Sequence, residues 1–197
     1  MLKIPIKGRW NNIPKAYKLF RVKKSKKGKL FPLFVLADKP TPIGEWVNAG
    51  YGERVGDKVK SRLGMLSYRP SWHLTDIPLA VHIGVKGESG SIEYMNPEHV
   101  WCEVSYKDDI DYQPLANERG MINGKFSPKK SYLDYVPVNG CYKYKTSPNQ
   151  LGEWIMAGEI FVHKVMTDEE VRNVLIEKGY IPMPRKDGDI DLSEYGF

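Results

Sequence analysis

The sequence predicts an α+β fold, with a mixed or largely antiparallel sheet and several short helices. Three observations lead there. Residues 15–22 and 99–106 read as strands, the second alternating Val100, Cys102 and Val104 with Trp101, Glu103 and Ser105. Strands do not alternate with long helical patterns, so there is no βαβ rhythm. Helix-start signals are few, and the best specified of them opens at Thr167.

Taken in order, residues 15–36 form a basic hairpin. Its first strand, residues 15–22, leads into the turn Lys24-Ser-Lys-Lys-Gly28, and a second strand covers 30–36. Pro32 places that second strand at an edge. Thr41-Pro42 predicts a short helix ending near Gly50, with Thr as cap and Pro at the first helical position. Gly50, Gly52, Gly56 and Gly64 then punctuate an irregular stretch. Gly87 to Ser91 is a loop before the strand at 99–106. A short helix follows, capped at or near Asp111 and closed by Gly120. Residues 121–139 lack a period and read as a long surface loop. Residues 141–146 are a strand, and 154–165 another, kinked at Gly158. Thr167-Asp-Glu-Glu170 is a capping box, with Met166 and Val171 as hydrophobic staple; the helix carries Val171, Val174 and Leu175 on one face and ends at Gly179.

The chain of 197 residues fits one domain, expected over 1–182, with an acidic and loosely held tail at 183–197. Hydrophobic residues at 41% and charged residues at 27% are those of an ordinary globular protein. The longest apolar runs, at 33–37 and 160–162, are too short to span a bilayer, so no membrane role is expected. The first eight residues lack the apolar core of a secretory leader. Cys102 and Cys141 have no metal-like spacing and are expected as free thiols in a reducing compartment. The net charge of +6 is uneven. Lys15, Lys18, Arg21, Lys23, Lys24, Lys26, Lys27 and Lys29 crowd one segment, and Asp187, Asp189, Asp191 and Glu194 the other end. A run such as Lys23, Lys24, Lys26 and Lys27 attracts phosphates by counterion release; a solvated hairpin tip is the plainer reading.

Residues 67–84 hold the densest chemistry. Pro70 and Pro78 stiffen the backbone and restrict Arg69 and Ile77. Arg69 can fork onto two anionic oxygens. Trp72 offers a stacking face, or fills a core. His73 can hold a ribose hydroxyl or move a proton, and Asp76 could orient it. Thr75 or Asp76 could cap a short helix from Pro78 to Gly84, whose free amides would suit a phosphate. The set suits a nucleotide. His82 lies in an apolar stretch and reads as structural. A convergence of His73, His82, His99 and Cys102 on a metal matches no closed zinc motif, so no metal is expected. Glu103 and Glu153 each read first as surface carboxylates.

Residues 68–84, together with Lys39-Pro-Thr-Pro-Ile-Gly-Glu-Trp46, Val100-Trp-Cys-Glu-Val104 and Tyr142-Lys-Tyr-Lys-Thr-Ser-Pro-Asn149, resemble a domain of phage and mobile-element proteins, including large polyvalent ones. The similarity covers about residues 30–178. It implies a protein of a bacterial host cytoplasm or a phage virion, with host proteins, nucleic acid or other virion proteins as partners. A second resemblance is to ADP-ribosyltransferases. Leu19-Phe-Arg21 is similar to their early-strand basic residue, residues 72–80 to their middle motif, and Glu153-Trp-Ile-Met-Ala-Gly158 to the late-strand glutamate. The chain departs from that pattern in lacking a Ser-Thr-Ser triplet and a Glu-x-Glu. The resemblance implies NAD as cofactor, with Glu153 and His73 catalytic and Arg21, Arg69, Trp72, Thr75 and Asp76 holding the ligand. The expected function is therefore a nucleotide-binding cleft, extending to ADP-ribosyl transfer. The alternative is a non-catalytic module that binds nucleic acid or protein through the lysine run.

Overall fold

A computed structural model describes residues 13–123, 125–126, 133–145 and 149–197. The segment read for a leader, part of the 121–139 loop and residues 146–148 lie outside them. The elements in chain order are β1 (Lys15–Arg21), β2 (Trp46–Asn48), β3 (Arg54–Val55), β4 (Lys58–Ser61), β5 (Gly64–Ser67), β6 (Trp72–Thr75), β7 (Val85–Lys86), β8 (Ile92–Tyr94), β9 (His99–Tyr106), β10 (Ile110–Asp111), α1 (Gln113–Gly120), β11 (Met121–Ile122), β12 (Lys125–Phe126), β13 (Gly140–Tyr144), β14 (Trp154–Ala157), β15 (Glu159–Val165) and α2 (Asp168–Glu177). The fold is α+β, as the sequence predicts. Its main sheet runs β10-β13-β14-β6-β1-β9-β15-β2, antiparallel except for the parallel pair β10–β13. No helix among the described residues is long and apolar enough to cross a membrane.

The sheet curls back on itself through one bend. β14 pairs with β13 and β6, whereas β15, one residue later, pairs with β9 and β2. The circuit β14-β6-β1-β9-β15 therefore closes through the chain at Gly158. The bend also shifts the inward phase. Ile155 and Ala157 point into the same core as Ile160 and Val162, together with Ala16, Phe20, Leu74, Val100 and Val104. The barrel stays partly open between β1 and β6, which share one register pair, Tyr17↔Thr75. Outside the barrel, α2 covers Leu19, Trp101 and Met166 with Val171 and Leu175. The neighbourhood of α1 covers Tyr142 and Met156 with Ala116, Leu133 and Val136.

Several local expectations change. The second hairpin strand shrinks to isolated bridges at Leu30 and Phe31, because Pro32 has no N–H for the ladder and the chain turns after it. The expected helix after Pro42 is absent. Trp46–Asn48 pairs instead with the edge of β15, where its amides find carbonyls. The irregular stretch after Gly50 is a three-stranded sheet, β3-β4-β5, turned at Gly56 and Gly64 with φ of 62° and 97°. The kinked strand at 154–165 is two strands. The tail at 183–197 is docked, not loose. Arg185 pairs with Asp168 at 2.6 Å with both side chains nearly buried, and Tyr195 enters the barrel core.

Candidate functional site

β6 carries the middle of the 67–84 segment and lies at the opening of the barrel. Below Thr75, β1 and β6 diverge, and Lys18 fills the gap. It stands on β1 between Ala16 and Phe20, on the inward face, and its side chain is 8% exposed. Nζ donates to the His73 carbonyl oxygen at 3.2 Å. It also sits 5.2 Å and 5.6 Å from the ring centroids of Phe20 and Trp72, within cation–π range. Burial pushes the Lys18 ammonium down to about 8, slightly opposed by its cross-strand partner Cys102. Burial likewise pushes the Cys102 thiol far up, so both inward groups favour their neutral forms relative to water. Cys102 and Cys141 are free thiols.

Lys18 opens into a cavity of about 320 Å³. Its walls come from residues 32–36, from Gly50 and Tyr51, from Val59 and Leu66 of the three-stranded sheet, and from Tyr68, Arg69, Ser71, Trp72 and His73. Its size is at the low end of the ligand-pocket range, about 300–1,000 Å³. Arg69 Nη1 donates to the Tyr144 hydroxyl at 3.2 Å. Tyr51 donates to the Val136 carbonyl at 3.2 Å. The Ser71 hydroxyl is buried and has no hydrogen-bond partner among the described residues. Among the described residues, no aspartate or glutamate lines the cavity.

His73 Nε2 lies 3.0 Å from the Arg69 carbonyl oxygen. A carbonyl only accepts, so Nε2 carries the proton. Burial pushes the imidazole down to about 4, helped by the Lys18 and Arg69 charges and opposed by the hydrogen bond to Arg69. His73 is therefore neutral near pH 7. Trp72 is 8% exposed, joins the barrel core and donates from Nε1 to the Val47 carbonyl at 2.9 Å. It is a core residue whose surface also lines the cavity.

The other candidates lie elsewhere. Thr75 donates to the Ile77 carbonyl at 2.6 Å. The helix expected from Pro78 to Gly84 is absent, because the segment makes successive turns, so there is no row of free helix amides. Asp76 caps a strand junction instead: Oδ1 accepts from the Glu153 amide at 2.8 Å, and its own amide donates back to the Glu153 carbonyl at 3.3 Å. That junction is at the far end of β6 from Arg69. Glu153 is half-buried and lines no part of the cavity, and the structure does not bring it to His73. Arg21 faces the other side of β1, donating to the Ala37 carbonyl at 2.9 Å. His82 is exposed rather than structural core, with its ring edge on Trp154 at 5.4 Å. In the lysine run, Lys23 pairs with Asp38 at 3.2 Å and Lys24 with Glu194 at 2.6 Å, while Lys26 and Lys27 are exposed.

The residue missed by sequence reasoning is Lys18, which was grouped with the solvated run. The alternation puts Lys18 on one face of the 15–22 strand with Ala16, Phe20 and Val22, but does not say that this face turns inward. Comparison with family models, curated proteins and solved structures finds no match.

Proposed function

We propose that this protein binds a small, planar, anionic ligand of the nucleotide class in the Lys18–Arg69 cavity. One observation carries the reading: a nearly buried ammonium faces a cavity that no carboxylate lines among the described residues. A charge removed from water is costly unless something of opposite sign meets it. At pH 7 the Lys18 amine is still mostly protonated, about ten to one. Arg69 adds a second cation, Ser71 an unmatched hydroxyl, and Tyr68 and Trp72 aromatic surface. The volume suits one ring and one anionic group rather than a full dinucleotide. ADP-ribosyl transfer would need a carboxylate beside the bound ribose. Glu153 is not at the cavity, so the support is for binding and not for transfer.

The test is titration calorimetry with AMP, adenosine and NAD. AMP is expected to bind one to one, and adenosine more weakly because it lacks the phosphate. Arg69→Ala should weaken AMP roughly ten- to a hundredfold, the range for a hydrogen bond to a charged group. No binding of any of the three at millimolar concentration would sink the reading. A salt-sensitive nucleic-acid shift abolished by charge reversal at Lys26 and Lys27 would favour the alternative module instead.

A further inference from the structure

We infer that Lys18 is a carbonyl-reactive amine, and that the cavity captures an aldehyde or ketone ligand as an imine on Nζ. The inference deepens the proposed function and rests on the cavity being a ligand site. Three features of the molecule point to covalent capture beyond simple charge pairing.

The first is placement. The amine comes from a barrel strand and is held by the His73 carbonyl and two ring faces, while its cavity side meets no acidic partner. A surface lysine is solvated and mobile; this one is desolvated and positioned, the circumstance that activates lysine as a nucleophile. The second is proton state. Burial brings the amine down to about 8 from 10.5. At pH 7 about one molecule in ten then carries a neutral Lys18, against roughly one in three thousand for an ordinary lysine. The third is what awaits the product. A protonated imine keeps one N–H, and the His73 carbonyl already accepts from that nitrogen. The Phe20 and Trp72 faces that hold the ammonium would hold the iminium in the same way. Arg69, on the cavity wall, would anchor an anionic group on the same ligand.

The step balances without oxidant or reductant. The neutral Lys18 amine adds to the carbonyl carbon and the C–N bond forms as the C=O π electrons move to oxygen. The nitrogen gives up two protons and the oxygen gains two. The C–O bond then breaks, one water leaves, and a C=N bond remains. One proton from solvent then returns to the imine nitrogen and gives the iminium whose N–H the His73 carbonyl accepts. Water departs through the open side of the cavity.

The probe is 4-carboxybenzaldehyde, which combines a ring, an anionic group and an aldehyde. The full chain is incubated with it at neutral pH and reduced with borohydride, and adducts are mapped by peptide mass spectrometry. Lys18 is expected to be captured at a probe concentration at least about tenfold below that needed for exposed Lys26 or Lys29, consistent with its larger neutral fraction. Lys18→Arg, which keeps the charge but forms no imine, should abolish that adduct. If the variant does not fold, the unaltered chain supplies the readout: excess 4-(hydroxymethyl)benzoate, the unreactive alcohol, should protect Lys18 and leave Lys26 labelled. Labelling of Lys26 and Lys29 with Lys18 untouched, or equal labelling of all three, overturns the inference. If calorimetry then shows the alcohol bound, imine capture fails and the cavity reading survives. If neither the alcohol nor AMP, adenosine or NAD binds, both fail; if only a nucleotide-class ligand binds, imine capture fails and the cavity reading survives.

Discussion

Lys18 is a charged residue buried on the inward face of β1. Its hydrocarbon stem runs along the barrel interior, and among the described residues its amine meets one backbone carbonyl and two aromatic rings. The cost should be visible in stability. Between about pH 8 and the ordinary 10.5, the unfolded chain holds a proton on Lys18 that the folded chain has lost. Stability from this residue therefore rises with pH across that window, by up to about 3 kcal/mol. Urea melts of the wild type and Lys18→Met at pH 7.5 and 9.5 check it. The wild type should gain on the variant at the higher pH, and a constant difference would count against a depressed amine. The acid limb has a slope of the same sign. His73 and His99 are both pushed down to about 4 by burial, the latter with Arg62, Arg185 and Arg21 nearby. Between 6.5 and 4 the unfolded chain takes protons that the folded chain refuses, so stability falls as pH drops through that window. Replacing His99 by Gln should flatten part of that fall in the same melts.

At the scale of elements, local chemistry was readable where it closed on itself. The α2 start is such a case: Thr167 Oγ1 accepts from the Glu170 amide at 3.2 Å, and Glu170 accepts from the Thr167 amide at 2.9 Å. All partners lie within four residues, so the sequence alone shows them. β9 was equally legible from its alternation and matches its expected bounds. Elements whose amides are satisfied by distant partners were not. Thr41-Pro42 has the chemistry of a helix start, yet the edge of β15 offers Trp46–Asn48 a ladder that outweighs propensity. The bend at Gly158 is the clearest tertiary demand on one position. A Cβ there would stand 1.9 Å from the Pro137 carbonyl oxygen, a backbone atom with little room to move. Gly158→Ala is expected to cost about 3 kcal/mol or more, through overpacking at the hinge of the barrel. Denaturant unfolding measures it, and a loss under about 0.5 kcal/mol would show that the close approach is relieved cheaply.

Across the whole molecule, the C-terminal segment holds the barrel's N-terminal strand in place. The Tyr195 carbonyl accepts from the Gly28 amide at 2.7 Å, Glu194 meets Lys24, and Arg172 forks onto Asp189 at 2.6 and 2.8 Å. The exposed pairs contribute little. The Arg185–Asp168 pair differs, because both partners are nearly buried and Arg185 also donates to the Asn96 and His99 carbonyls at 2.8 Å each. Arg185→Ala would leave a buried carboxylate and two carbonyls without their donor. A loss of roughly 3–5 kcal/mol is expected. Hydrogen exchange gives a second reading: protection should fall together in β1 and β9, whereas a merely tethered tail would change only its own amides.

The sequence by itself determined the α+β class, the capped α2 and the strand at 99–106. Each rests on local periodicity, capping or turn chemistry, which neighbouring residues encode. Only the tertiary structure decided that Lys18 lies inside, that Glu153 lies away from His73, and that the acidic tail is docked. On β1 the alternate positions Tyr17, Leu19 and Arg21 are as apolar as Ala16, Lys18 and Phe20, so the pattern does not say which face turns inward. That choice follows from closing the barrel at Gly158, where strands far apart in sequence meet and one face of β1 becomes the wall of a cavity.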